Sequence, residues 1–155
     1  MTPAINVLKK EKVDYKLYEY IHNSQTQSYG LEAVNKMGAE ESRVFKTLVV
    51  KVDNNLLVVA VIPVSSMLSM KLVAKSIGAK KASMADSLEV ERSTGYILGG
   101  VSPLGQKKRV KTIIDSSAES FSTIYVSAGR RGLEIELNPN DLKELTGAKF
   151  VDISQ

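Results

Sequence analysis

The sequence contains no cysteine and a single histidine, His22. The first absence excludes disulfides, thiolate-bound zinc and a protein thiol nucleophile together, and one imidazole is too few for a histidine-built metal site. A Ser-His-Asp arrangement would have to recruit His22, and no Gly-x-Ser-x-Gly elbow is present. There is no tryptophan and aromatics make up 6% of the chain, which argues against a base-stacking platform; a nucleic acid would be held chiefly through its phosphates. No stretch approaches the roughly 20 apolar residues of a membrane span. The longest apolar segment, Leu56 to Val64, is strand-sized. The start, Met1-Thr2-Pro3-Ala4-Ile5-Asn6, lacks the charged-then-apolar layout of a secretory leader, so a cytoplasmic protein is expected.

At 155 residues with 43% hydrophobic content, the chain is long enough to bury a core, and a single compact domain over residues 1–155 is expected. Lysine and arginine outnumber aspartate and glutamate by 21 to 17, a formal +4. The excess is mild, but it clusters: Lys107, Lys108 and Arg109 are consecutive, Lys80 and Lys81 are adjacent, and Arg130 and Arg131 sit at a glycine turn. These runs read either as a solvated face or as contacts to a polyanion.

Thr2-Pro3 reads as an N-cap and first helical position, and Tyr15 to Ile21 as a strand. A helix is expected to end near Gly38. Phe45 to Val52 and Leu56 to Ile62 are strand-like runs joined by the turn residues Asp53-Asn54-Asn55. Ser69 and Asp86 are helix caps, the latter with capping-box spacing to Glu89. Strands are expected at Lys111 to Asp115, Thr123 to Ser127, Leu133 to Leu137 and Lys149 to Ile153, with a helix starting at Asn138-Pro139. Helices interleave with at least two strand hairpins, which disfavours a purely parallel sheet. The expected fold is α/β, a mixed sheet flanked by helices.

Two features point to chemistry. Gly95 to Gly105 holds four glycines and Pro103 between structured runs, and such a segment can converge backbone N–H groups on an anion or a polarised carbonyl. It reads equally as an ordinary tight loop, although Lys107-Lys108-Arg109 directly after it would suit a phosphate backbone beside a site. Lys46 lies in a strand on the face shared by Leu48 and Val50, a costly place for an ammonium unless it meets an anion, a carbonyl or a cavity. The alternative is a lysine snorkelling from the strand end.

The segments Phe45-Lys46-Thr47-Leu48-Val49, Arg92-Ser93-Thr94-Gly95-Tyr96, the run from Gly99 to Arg109, and the run from Tyr125 to Leu133 occur in an order that resembles the YbaK-type Cys-tRNA(Pro) deacylases, of the superfamily of prolyl-tRNA synthetase editing domains. The resemblance runs from Met1 to Ile153. It implies a barrel-like mixed sheet, a free-standing editing enzyme without metal or organic cofactor, and removal of cysteine from Cys-tRNA(Pro) or Cys-tRNA(Cys) by attack of the substrate's own thiol on the ester. It places Lys46 in the acyl pocket and assigns Gly99, Gly100, Val101, Ser102 and Pro103 to the loop whose backbone receives the aminoacyl carbonyl. Tyr20 and Thr47 fall at pocket-lining positions. The mischarged tRNA is the implied partner, with prolyl-tRNA synthetase as a further one and no membrane. Two positions depart from the pattern: Ala128 stands where glycine is usual, and Ser69 where aspartate is. An alanyl-tRNA(Pro) deacylase and a non-catalytic tRNA- or synthetase-binding module are the competing readings.

Lys107, Lys108 and Arg109, with Arg130 and Arg131, are the expected tRNA contacts. Reversing Lys107, Lys108 and Arg109 to glutamate should raise the tRNA concentration needed for half-maximal activity and flatten its salt dependence, with little change in melting temperature. Kinetics on full-length tRNA at two salt concentrations checks this; unchanged curves would remove these residues from the tRNA track.

Overall fold

In the computed structural model, which describes residues 1–53 and 55–155, five α-helices surround eight strands. The helices are α1 (Pro3–Glu11), α2 (Tyr29–Met37), α3 (Met70–Ser76), α4 (Ser87–Thr94) and α5 (Pro139–Thr146). The strands are β1 (Tyr15–Glu19), β2 (Phe45–Val52), β3 (Leu56–Pro63), β4 (Ala82–Met84), β5 (Lys111–Asp115), β6 (Ile124–Arg130), β7 (Leu133–Leu137) and β8 (Lys149–Val151). Among the described residues no helix is long and apolar enough to cross a membrane.

The helix starts follow their caps. Thr2, Ser28, Ser69, Asp86 and Asn138 each accept a backbone N–H of the first turn, and Asp86 completes a capping box with Glu89. Gly38, Gly95 and Gly147 end α2, α4 and α5 in the left-handed conformation. The Thr2 hydroxyl also donates to the Ala128 carbonyl at 2.5 Å, which fastens α1 to β6.

The strands form two sheets. One has the order β1-β7-β6 and is antiparallel throughout; the other, β4-β2-β3-β5-β8, is mixed. The expected hairpins are β2–β3 and β6–β7, while β3–β5 and β5–β8 pair in parallel. Of the expected turn Asp53-Asn54-Asn55, Asn54 lies outside the described residues. The α/β class is as expected, but the sheets are not closed into a barrel. The reason lies in β2: β3 pairs with it over its whole length, from Phe45 to Val52, whereas β4 covers only Val50 to Val52 on its other side. The β1-β7-β6 sheet leans against the uncovered stretch through β6, and Tyr125 bridges to Val44, the residue before β2. β4, at three residues, is too short to carry a periodic signal and was not anticipated.

The larger core cluster fills the space between the sheets with Phe45, Val49, Val59, Val61, Ile114, Ile124, Val126 and Ile135, closed by Leu8 of α1 and Leu142 of α5. A second cluster, Val50, Val52, Val58, Ala60, Ile62 and Val73, lies under α3. One buried carboxylate ties the far end of the mixed sheet. Asp115 Oδ1 accepts from the Ile153 N–H and the Ser154 hydroxyl, each at 3.1 Å, and Oδ2 accepts the Ser117 hydroxyl at 2.5 Å. Asp115→Ala strands the buried Ile153 N–H, which should cost about 2–3 kcal/mol and lower the melting temperature by roughly 5–10 °C. Urea and thermal unfolding measure this.

Candidate active site

At the uncovered edge of β2 a cavity of about 320 Å³ opens between the two sheets. Its floor is Phe45, Lys46, Thr47 and Leu48 of β2; Ser127 of β6 and Glu134 of β7 form the facing wall; Tyr20 closes one end and Tyr29, Leu98 and Gly99 the mouth. Consecutive residues of a strand inside a sheet point to opposite faces. Lys46, Thr47 and Leu48 line the cavity together because it lies along the strand's open edge, and so touches both faces. This is also how Lys46 reaches a cavity while sharing a face with Leu48 and Val50.

The electrostatics of the cavity are unusual for such a small space. Burial pushes the Lys46 ammonium below its ordinary pKa. Burial also pushes the Glu134 carboxyl up to about 8. Neither side chain is in an ion pair among the described residues, although both line the same cavity. An acid and an amine are thus each held toward their neutral forms. Tyr20 joins them: burial, with the Glu134 and Glu32 charges, raises its phenol to about 12, so it stays protonated and can donate. The Thr47 hydroxyl is buried and has no hydrogen-bond partner among the described residues. A buried hydroxyl left open in this way is costly unless a ligand completes it.

The glycine-rich loop forms the mouth. Gly99 adopts φ +85°, in the left-handed region where glycine carries no Cβ penalty, and the ring of Tyr29 lies 2.7 Å from where a Cβ would stand. The Gly99 and Val101 N–H groups have no partner among the described residues, whereas the Gly100 N–H donates to the Ile97 carbonyl at 2.9 Å. Lys46, Thr47, Tyr20, Gly99 and Val101 therefore meet at one cavity. Gly100, Ser102 and Pro103 lie outside its lining. Gly100 backs onto the Arg130 main chain, and Ser102, fully buried, accepts the Leu104 N–H at 3.2 Å and stabilises the turn behind the site.

The sequence matches a known family. The model of the aminoacyl-tRNA editing domain covers residues 25–145. The chain belongs to the aminoacyl-tRNA editing domain family. Over 153 residues this editing domain is 40% identical to Enterococcus faecalis EbsC, whose name provisionally assigns it as a Cys-tRNA(Pro)/Cys-tRNA(Cys) deacylase; the match spans 99% of this chain and 93% of EbsC. It is 28% identical over 123 residues to YwhH of Bacillus subtilis, a protein of unassigned function, covering 79% of this chain and 78% of that one. Among solved structures, a hypothetical protein superimposes with a TM-score of 0.87 at 27% identity, over 99% of this chain and all of the other. A trans-editing protein described as acting for prolyl-tRNA synthetase superimposes at 0.84 and 21% identity, covering 100% and 99%, a likeness of fold.

The editing domain splits the expected basic contacts into two groups. Lys108 and Arg109 border a second cleft of about 270 Å³ between α1, α5 and the segment Pro103 to Gln106, and Lys107 is exposed beside Gly95. Arg130 pairs with Glu19 at 2.6 Å, and the Arg131 Nε donates to the Leu98 carbonyl at 2.9 Å. Besides Tyr29 and Leu98 at the mouth, the strand residues Glu134 and Ser127 are not evident from sequence. Both sit in alternating strands where a glutamate or serine ordinarily faces solvent, and only the cross-strand register, Ser127 opposite Glu134, turns them to the cavity. His22 takes no place in the lining; its Nδ1 lies 2.7 Å from Glu32 Oε1 and holds the loop before α2. Among the described residues no group of three or more His, Asp or Glu side chains is arranged to hold a metal ion.

Glu134 gives the site a testable signature. Its pKa of about 8 in the folded chain lies above the ordinary 4.5. The stability gained from the bound proton is therefore full below about pH 4.5 and is lost as pH rises through 8. Glu134→Gln cannot ionise, so it should gain on the wild type by up to ~1.4 kcal/mol per pH unit between those values. Urea unfolding at pH 5, 6.5 and 8 should show the gap widening; parallel profiles would mean an ordinary carboxylate.

Proposed function

We propose that residues 1–155 act as one aminoacyl-tRNA deacylase that clears cysteine from Cys-tRNA(Pro) and Cys-tRNA(Cys) after release from the synthetase. The observation that carries this reading is one small cavity that holds a half-buried Lys46 and a buried Glu134, neither ion-paired among the described residues, and that is lined by Gly99, whose N–H has no partner there. An aminoacyl ester supplies what each lacks. Its α-ammonium suits the Glu134 carboxylate, its carbonyl suits the Gly99 N–H, and its small side chain suits a cavity of about 320 Å³. The 40% identity to EbsC over nearly the whole chain supports the choice of cysteine.

The absent protein nucleophile then follows from the substrate. The cysteinyl sulfur attacks the ester carbonyl carbon, the C–S bond forms, the bond to the ribose oxygen breaks, and a thiolactone leaves. In its deprotonated form, toward which burial pushes it, Lys46 takes the thiol proton, and the departing ribose oxygen is protonated in return. Intramolecular attack has a high effective concentration, so the protein's part is orientation and stabilisation of the oxyanion. Lys107, Lys108 and Arg109 supply phosphate contacts; such contacts read backbone and not sequence, and a complex with prolyl-tRNA synthetase would supply selection of the tRNA body.

Lys46→Ala should reduce clearance of Cys-tRNA(Pro) about tenfold to a thousandfold, the equivalent of roughly 2–4 kcal/mol of lost transition-state stabilisation. Stability should hold or rise, because an ammonium without an ion-pair partner among the described residues leaves a half-buried site. Deacylation of Cys-tRNA(Pro), Cys-tRNA(Cys) and Ala-tRNA(Pro), beside thermal melting, tests both. Preference for Ala-tRNA(Pro) would move the substrate to alanine, and tight tRNA binding with no ester cleavage would replace the enzyme by a binding module.

A further inference from the structure

The Leu98–Gly99 peptide is the one element of the site whose direction decides its chemistry. A planar trans peptide points its C=O and N–H in opposite directions, so this unit can offer the cavity a donor or an acceptor but not both. An N–H there stabilises an oxyanion; a carbonyl would repel it. Glycine tolerates positive and negative φ about equally, so Gly99 alone does not choose between the two orientations. Something outside the loop has to.

Arg131 makes that choice. Its Nε donates to the Leu98 carbonyl at 2.9 Å, and Arg131 is not part of the cavity lining, whereas Leu98 and Gly99 are. The Leu98 carbonyl is thereby occupied by Arg131, and the Gly99 N–H is left without a partner among the described residues. The same guanidinium lies 4.8 Å from the centroid of the Tyr29 ring, and that ring packs on Gly99. Arg131 itself is fixed by the two-residue turn it forms with Gly132, which sits at φ +84° where a Cβ would strike the Tyr20 carbonyl.

We propose that Arg131 is a positioning residue for deacylation: by holding the Leu98 carbonyl and the Tyr29 ring, it fixes the Leu98–Gly99 peptide with its N–H available to the substrate carbonyl. This assignment rests on the deacylase reading above. It gives Arg131 a role distinct from a phosphate contact, and the two roles predict opposite kinetics.

The experiment compares wild type, Arg131→Met and Arg131→Lys on cysteinyl-tRNA(Pro) and on 3′-O-cysteinyl-adenosine, which has no phosphate. Arg131→Met should lower kcat about tenfold or more on both substrates and leave KM within about threefold, because an oxyanion donor acts in the transition state. Arg131→Lys should recover much of the loss, since an ammonium can still donate to the Leu98 carbonyl. A raised KM on tRNA with a reduced salt slope, and no defect on the nucleoside ester, would overturn the proposal in favour of a phosphate contact.

A second measurement needs no activity. The sequence has two Leu-Gly pairs, Leu98–Gly99 and Leu104–Gly105, so labelling leucine carbonyl carbon and glycine nitrogen gives two peptide signals, one the internal control. In Arg131→Met the Leu98–Gly99 signal should shift or broaden while the control stays, and in Arg131→Lys it should lie near the wild-type position. A Leu98–Gly99 signal unmoved by Arg131→Met would sink the proposal even if the variant were slow. A wild-type protein that cleaves no aminoacyl ester would overturn the deacylase reading, and the peptide signal would then decide the orientation claim by itself.

Discussion

A strand with a full-length neighbour on one side only is the constraint on which this molecule turns. β3 pairs with all of β2, but β4 covers no more than its last three residues, and the remaining edge is left for the second sheet to approach without joining. Unpaired backbone polar groups cannot stay both buried and dry, so an edge of this kind has to be covered by other backbone or opened to a polar space. Here it opens to the cavity. Lys46 and Thr47 reach one site because of that opening, and Ser127 and Glu134 face them because the β6–β7 hairpin leans over it.

The hairpin matters in a second way. Its turn carries Arg131, which grips the glycine loop from outside, and its bulge between Ser127 and Arg130 brings the turn back toward Gly100 and Tyr20. The loop is consequently a thin wall. Leu98, Gly99 and Val101 line the cavity on one side, and Pro103, Leu104, Gly105 and Gln106 line the cleft of Lys108 and Arg109 on the other. Tyr96, buried, donates its hydroxyl to the Leu104 carbonyl at 2.7 Å and stiffens the wall from within.

Much of this was legible in the sequence, for physical reasons that can be named. β2, β5 and β7 were bounded correctly because alternation and turn residues give short strands sharp edges, and the helices began where capping side chains stood. Lys46 was conspicuous because a charge on an apolar strand face has few explanations. Glu134 was not: in a strand reading Leu-Glu-Ile-Glu-Leu, both glutamates look like the solvent face. One of them is. Glu136 is anchored at the sheet margin by Tyr18, Thr123 and Arg43, while Glu134, two residues away on the same face, meets the cavity. Periodicity assigns a face and cannot say that a second sheet will cover half of it. The barrel-like closure expected of the sheet failed on the same point, since closure depends on how far β4 extends along β2, and three residues leave no pattern to read.

The burial that disfavours charge on Glu134 also bears on how the cycle ends. Before substrate arrives, the Glu134 carboxyl is held toward its protonated form and offers stray cations little. On the proposed reading the aminoacyl end arrives with its own ammonium and draws the charge out of Glu134. The cleaved tRNA ends in a bare ribose hydroxyl, which offers the carboxyl nothing, so the acid relaxes to its protonated form as the nucleic acid departs. A pocket of this kind grips only while there is an amino acid to remove, and discharged tRNA competes poorly for it.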